Sequence, residues 1–134
     1  MNHEQAQTNL KLLLDWIDAL RRDDIDSIAA RFHPDVAWDD VAGGLACKGR
    51  AQVLAWLRAA PRQPTDVDAL ELLADAGHAV LGVRNRARQE LAGVQLGGQL
   101  FTVFTIHDGQ IVHLRDHAHR ADALADAGLD YQWR

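Results

Sequence analysis

Near its C-terminal end the chain reads Val112-His113-Leu114-Arg115-Asp116-His117-Ala118-His119. In an extended segment successive side chains alternate between faces. Val112, Leu114, Asp116 and Ala118 therefore share one side, and His113, Arg115, His117 and His119 share the other. Asp116 is thus one carboxylate on an otherwise apolar face. Val36-Ala37-Trp38-Asp39-Asp40 repeats the arrangement, with Asp40 on the side of Val36 and Trp38. A carboxylate buried among apolar groups costs several kcal/mol unless it is paired, hydrogen-bonded or neutral. Two such placements point to a cavity that holds polar groups, where burial raises carboxylate pKa values and permits acid–base work near neutrality. The alternative, that each Asp caps a loop, stays open at this point.

Other side chains carry weaker signals. Seven histidines raise the question of zinc, which neutral imidazoles bind. Arg115 among His113, His117 and His119 repels a cation, and no acid or cysteine partners them in sequence, so no metal is expected. Arg84, Arg86 and Arg88 alternate along one strand face. They either reach the pocket mouth, where Arg84 and Arg86 would hold an anionic group of a ligand, or form a solvated cationic row. Trp16, Trp38 and Trp56 read as core residues. Trp38 is the one best placed to touch a ligand, since it neighbours Asp40. Cys47 is the only cysteine, which excludes an intrachain disulfide and a cysteine-based metal site. In its Gly-rich loop it reads as an inert thiol.

The elements that position these residues follow from periodicity. Leu10, Leu13, Leu14, Ile17 and Leu20 have helical spacing over residues 7–22, and Leu12 and Trp16 widen that stripe. Asp23 or Asp24 offers an N-cap for a short second helix presenting Ile25, Ile28, Ala29 and Phe32, closed by Pro34. Residues 36–40 read as a strand, broken at Gly43-Gly44, where a loop begins. Residues 50–60 predict a third helix, ended by Pro61 and Pro64. From Asp66 onward the period becomes strand-like, with strands expected over 66–74, 78–88, 97–106 and 110–118. Ala76-Gly77 and His107-Asp108-Gly109 are the turns. A last short helix over 122–127 is stopped by Gly128. Helices followed by a sheet predict an α+β fold with the helices across one sheet face.

Composition sets outer limits. The 134 residues, 48% apolar and 25% charged, fit one domain over residues 1–134 that buries a core without staples. A net charge of −5 argues against a nucleic-acid partner, since phosphate binding needs clustered cations. No apolar run approaches the roughly 18 residues of a membrane span. The first residues lack the pattern of a secretory signal, so a cytoplasmic location is expected. Nothing resembles a nucleotide loop, and no cofactor is expected. Phe101, Val103 and Thr105 make the second face of their strand apolar as well. That face needs a cover other than the N-terminal helices. A homodimer joined through it, involving Phe101, Val103, His113 and His117, is the expectation.

The chain resembles the nuclear-transport-factor-2-like superfamily. Residues 7–41 are similar, without a gap, to the opening of a ketosteroid isomerase, through Arg22-Asp23-Asp24-Ile25-Asp26-Ser27-Ile28, Phe32-His33-Pro34-Asp35-Val36 and Trp38-Asp39-Asp40. The resemblance places Asp40 at the general-base Asp. Trp16 falls at an oxyanion-hole Tyr, where indole N–H can only donate. Thr102 falls near the second oxyanion donor. The C-terminal part is more similar to limonene-epoxide hydrolases and SnoaL-type cyclases, through Ile106-His107-Asp108-Gly109-Gln110-Ile111 and Leu114-Arg115-Asp116-His117. Their catalytic Asp matches Asp116. Trp38 and Asp40 match a water-holding Tyr and Asn. Their Arg-x-Asp element aligns with Arg84-Asn85-Arg86, which lacks the acid, and a one-residue shift would bring Val83 and Asn85 inward instead. The resemblance implies a cone built from a strongly curved antiparallel sheet, with about three N-terminal helices on its concave face. It also implies acid–base chemistry on a small, largely apolar organic ligand. Asp116 and Asp40 would be catalytic, with Trp38, Trp16, Thr102 and Leu114 lining the pocket. A non-catalytic binding or dimerisation module of the same fold is the alternative.

Overall fold

A computed structural model of the chain describes residues 2–59, 69–85, 89–91 and 93–129. Helix α1 spans Asn2–Arg21 and buries Asn9, Leu12, Leu13, Trp16 and Ala19, an i, i+3, i+4, i+7 row. The expected stripe is turned by about one position, so Leu12 is buried and Leu14 is half exposed. The Trp16 ring accounts for the turn. It packs edge-on against Phe104 and Phe32, with centroids 5.2 and 5.7 Å away. Asn9 comes inside with it and donates from Nδ2 to the Asp75 carbonyl at 2.8 Å.

A 3-10 helix over Ile25–Arg31 follows, burying Ile25 and Ile28. Strand β1, Phe32–Asp39, starts directly after it. Pro34 was expected to close the helix but lies inside β1. Its missing N–H is tolerated because the ladder between β1 and the last strand is irregular between Phe32 and Ala37. The expected loop after Gly44 contains a further strand, β2, Leu45–Lys48, which pairs back on β1. Only Cys47 of its four side chains is buried, so it carries no hydrophobic alternation. Helix α2, Arg50–Ala59, buries Val53 and Leu57 and leaves Trp56 half exposed.

Strands β3 (Ala69–Ala74), β4 (His78–Arg84), β7 (Gln99–His107) and β8 (Gln110–His117) occupy the expected positions. A two-residue hairpin, β5 (Glu90–Leu91) with β6 (Val94–Gln95), interrupts the loop expected between β4 and β7. Pro61, Pro64, Arg86, Arg88 and the start of the strand expected at Asp66 lie outside the described residues. Asp108 and Gly109, at φ of 52° and 76°, make the tight β7–β8 turn, since consecutive positive φ angles suit the twist of a hairpin.

The main sheet has the order β2-β1-β8-β7-β4-β3 and is curved and unclosed. It is mixed rather than wholly antiparallel, because β1 and β8 run parallel. A parallel pair requires a long crossover, and here most of the chain provides it. The inner face carries Val36, Trp38, Ala79, Leu81, Phe104, Ile106 and Leu114, packed on α1 and the 3-10 helix in one core.

Part of the outer face is covered by the chain itself. Helix α3, Arg120–Ala127, packs Ala123, Leu124 and Ala127 on Leu73, Val80, Phe101 and Val103. Gly128, at φ 71°, ends it in a left-handed cap that turns Leu129 back onto the same cluster. Helix α3 thus lies over Phe101 and Val103, two of the four residues through which a homodimer is expected. His117 is tied to that helix as well, through Asp126 at 2.8 Å, while His113 contacts Asp39 of β1 at 2.9 Å.

Candidate active site

Asp116 and Thr102 are directly paired across β8 and β7, so both side chains rise from the same pleat on the inner face. Thr102 Oγ1 donates to Asp116 Oδ1 at 2.8 Å. On the other side of β8, Trp38 is in register with Leu114. From there its indole lies near the Asp116 carboxylate two residues along and favours its ionised form. Both side chains are buried, Trp38 at 8% exposure and Thr102 at 8%. Asp116 therefore sits on the apolar inner face with the Thr102 hydroxyl as its hydrogen-bond donor, the Trp38 indole nearby, and no cation hydrogen-bonded to it among the described residues.

Burial pushes the Asp116 pKa up from 3.8 to about 6, against the Thr102 hydrogen bond, the Trp38 indole and the nearby His117, with the charge of Asp40 adding to the rise. Desolvation dominates because neutral donors offset only part of the lost hydration. A carboxyl of this kind is mostly ionised at pH 7, by roughly ten to one, yet holds a proton far more readily than an exposed Asp. It can both take and return a proton near neutrality.

Asp40 lies just past the end of β1, close enough for its charge to act on Asp116. It also builds the β1–β2 turn. Its Oδ1 accepts from the Ala42 and Gly44 N–H groups at 2.9 and 3.0 Å. Its own N–H donates to the Gly44 carbonyl at 2.7 Å, and its carbonyl accepts from Gly43 at 2.9 Å. The loop-capping reading of Asp40 is therefore real for one oxygen. Among the described residues no hydrogen bond reaches Oδ2. An irregularity in the β1–β2 register between Trp38 and Asp39 lies between the two inward residues, and such bulges re-aim side chains.

Trp16 meets Trp38 with centroids 6.1 Å apart, and Leu114 is fully buried beside them. These residues form an apolar wall. Arg84 does not join it. In β4 the buried Ala79 and Leu81 belong to the inner core with Val83, whereas Val80 belongs to the outer cluster. Strand alternation therefore sends Arg84 outward, where it is exposed. The register is the shifted one, and it places Asn85 on the inward side, 9% exposed, with its N–H donating to the Gly98 carbonyl at 2.7 Å. Arg86 falls outside the described residues. The other groups singled out from the sequence stand apart. Burial pushes the Cys47 thiol above its ordinary pKa, and His119 is exposed at the start of α3. Among the described residues no three His, Cys, Asp or Glu side chains gather as metal ligands, and no helix is long and apolar enough to cross a membrane.

The chain's relatives agree with this architecture. Residues 13–114 match the family model described as the SnoaL-like domain. The matched stretch contains Trp16, Trp38, Asp40 and Thr102 and ends two residues before Asp116. No curated protein is significantly similar. Among solved structures, one provisionally assigned as a ketosteroid isomerase, from Kribbella flavida, superposes with a TM-score of 0.63 at 20% identity, over 84% of this chain and 78% of the other. One provisionally assigned as a polyketide cyclase, from Xanthomonas campestris, gives 0.61 at 19%, over 92% and 98%. An epoxide hydrolase from M. tuberculosis, similar to limonene-epoxide hydrolase, gives 0.61 at 17%, over 92% of each chain. At such identities the superpositions establish the fold, and the match over residues 13–114 establishes the family: the chain belongs to the SnoaL-like domain family, within the nuclear-transport-factor-2-like superfamily.

Proposed function

We propose that the chain is a small-molecule enzyme in which Asp116 moves a proton on a largely apolar organic substrate held against the inner face of the sheet. The reaction would be of the isomerase, cyclase or epoxide-hydrolase kind, as in the three structures named above. One observation carries the reading. Asp116 stands on an apolar face, hydrogen-bonded by Thr102 and close to the Trp38 indole, with its pKa raised to about 6 by burial. A general base works best when its pKa lies near the operating pH. Both groups stabilise the ionised form, and the Thr102 bond fixes the direction of the carboxylate. Asp40, anchored through Oδ1, keeps its other oxygen for orienting substrate or water and makes the Asp116 proton easier to retain. Trp16, Trp38 and Leu114 supply the apolar wall.

A second reading has its own support. Asp40 is committed to the β1–β2 turn, as it would be in a binding module that catalyses nothing. The two readings part in one experiment. A library of small neutral molecules is screened by thermal shift, since ligands of the native state raise its melting temperature. Every hit is then incubated in D2O and followed for deuterium uptake or conversion. The enzyme reading expects a hit that exchanges or reacts with the wild type and not with Asp116→Asn. Hits that bind both proteins equally and never react leave the binding module.

A further inference from the structure

Asp116 is flanked in β8 by Arg115 and His117, whose side chains emerge on the opposite face of the sheet. A single oxygen holds both. Asp126 Oδ2, on α3, accepts from Arg115 Nε at 2.7 Å and meets His117 Nε2 at 2.8 Å. The three side chains are only 24–29% exposed. Burial opposes the charge on Asp126, but the His117 hydrogen bond and the Arg115 guanidinium outweigh it and hold its carboxyl below the ordinary value.

Helix α3 is a firm base for this contact. At its other end Arg120 forks onto Glu71 of β3, with Nε and Nη2 each 2.8–3.1 Å from the carboxylate oxygens, and the apolar cluster lies between. Eight helical residues span about 12 Å. Three strand spacings, from β3 across β4 and β7 to β8, span about 14 Å. The helix thus bridges the outer face and is fastened on both sides. The parallel ladder from β1 along β8 ends at Asp39 with Arg115. At Asp116 itself, among the described residues, β8 is paired only with β7, through Thr102.

We propose that Asp126 is a positioning residue for Asp116: from the far side of the sheet it pins the residues before and after Asp116, and so fixes the pleat that aims Asp116 at Thr102 and Trp38. Hydrogen bonds weaken steeply with angle, and small misplacements of a reacting group are costly. A clamp on both neighbours holds this geometry where the strand lacks a partner on the β1 side. The charged groups facing Asp126 are Arg115 and His117 on β8. The charges that act on Asp116 are His117, from the opposite face of the strand, and Asp40. The proposal deepens the enzyme reading and rests on it for its consequence in catalysis, but its test needs no substrate.

The test is NMR on the full chain. The Trp38 indole N–H resonance reports its approach to Asp116, and the Asp116 side-chain carboxyl carbon gives the titration midpoint directly. Asp126→Ala is expected to shift the indole resonance, speed its exchange with water and move the Asp116 midpoint by about half a pH unit or more. Asp126→Glu, which reaches the same partners, is expected to restore both signals. Arg120→Ala opens the far fastening of α3 and is expected to cost stability while leaving both signals in place. Should Asp126→Ala not fold, Asp126→Asn replaces it, retaining the shape without the charge. Wild-type signals in an Asp126 variant with α3 still docked would overturn the proposal. So would equal shifts in Arg120→Ala, which would make Asp126 merely a part of helix docking. Failure to find turnover would count against the enzyme reading alone.

Discussion

Replacing Asp116 by Asn should make the protein more stable relative to wild type as pH rises, and the amount follows from the site. The carboxyl is raised from 3.8 to about 6 in the folded chain, a difference of about two pKa units, each worth about 1.4 kcal/mol. A raised carboxyl binds its proton more tightly when folded. Protonation therefore favours the native state fully below about pH 4, and that contribution is withdrawn as pH climbs through 6. Asn titrates nowhere. The stability of Asp116→Asn minus that of wild type should thus increase by about 2–3 kcal/mol between pH 4 and pH 7.5 and then level off. In a domain of this size that is roughly 10 °C of melting temperature. The substitution also alters the Thr102 hydrogen bond and the Trp38 contact, but that cost does not vary with pH, so the slope is diagnostic and the offset is not. Urea denaturation of both proteins in half-unit steps provides the measurement, and the shared titrations of distant groups cancel in the difference. A difference that stays flat, or falls as pH rises, would refute the reasoning, because it would place the folded Asp116 pKa at or below that of an exposed Asp.

Thr102→Val keeps the shape but removes a donor to ionised Asp116, so its carboxyl midpoint should rise above that of wild type in an NMR titration. Gly82→Ala would place a Cβ 2.7 Å from the Phe101 ring, and overpacking of this sort costs about 1–3 kcal/mol, readable as a lower urea midpoint at unchanged m-value. Asp40→Ala removes two turn bonds and should cost about 1–2 kcal/mol, together with a lower Asp116 pKa because a neighbouring negative charge is gone. With α3 in place the chain should scatter light as a monomer at micromolar concentration. Ending it at His119 bares Leu73, Val80, Phe101 and Val103 and should make mass rise with concentration.

The sequence made the inner face legible because that face obeys simple periods. Leu114 and Asp116 alternate with Arg115 and His117 without interruption, so the face of Asp116 could be read directly, whereas Asp40 lies past a bulge in β1 and builds the turn as well. Strands β3, β4, β7 and β8 were legible for the same reason, together with the two positive-φ residues of the β7–β8 turn, while the short β5–β6 hairpin was not. What escaped reading had no period of its own. β2 buries one residue of four, Pro34 looked like a stop signal but fell in a gap of the ladder, and the direction of β1 against β8 is set by the crossover rather than by either strand. The parity at Arg84 stayed open in the sequence, because three alternating arginines suit a pocket mouth as well as a solvated row, and only the packing of Val83 with the inner core turns Arg84 outward. The role of α3 escaped too. Its apolar residues are mostly alanine, a weak signal, and Asp126 meets its partners only once the helix has crossed the sheet.

The parallel pairing of β1 with β8 has a consequence for how the molecule comes into being. Asp39 and His113 touch across a separation of 74 residues, and a chain growing on a ribosome makes β1 long before the strand it must lie beside. Until β8 emerges, β1 has only the four-residue β2 as a neighbour and the inner face has no Asp116. Contacts so distant in sequence form slowly, because the intervening chain must be closed before any pairing rewards it. The central strand of the sheet is therefore among the last to be synthesised, and a chain released before residue 110 presents both β1 and β7 as open edges. Such a fragment should be a substrate for chaperones and proteases rather than a smaller version of the fold.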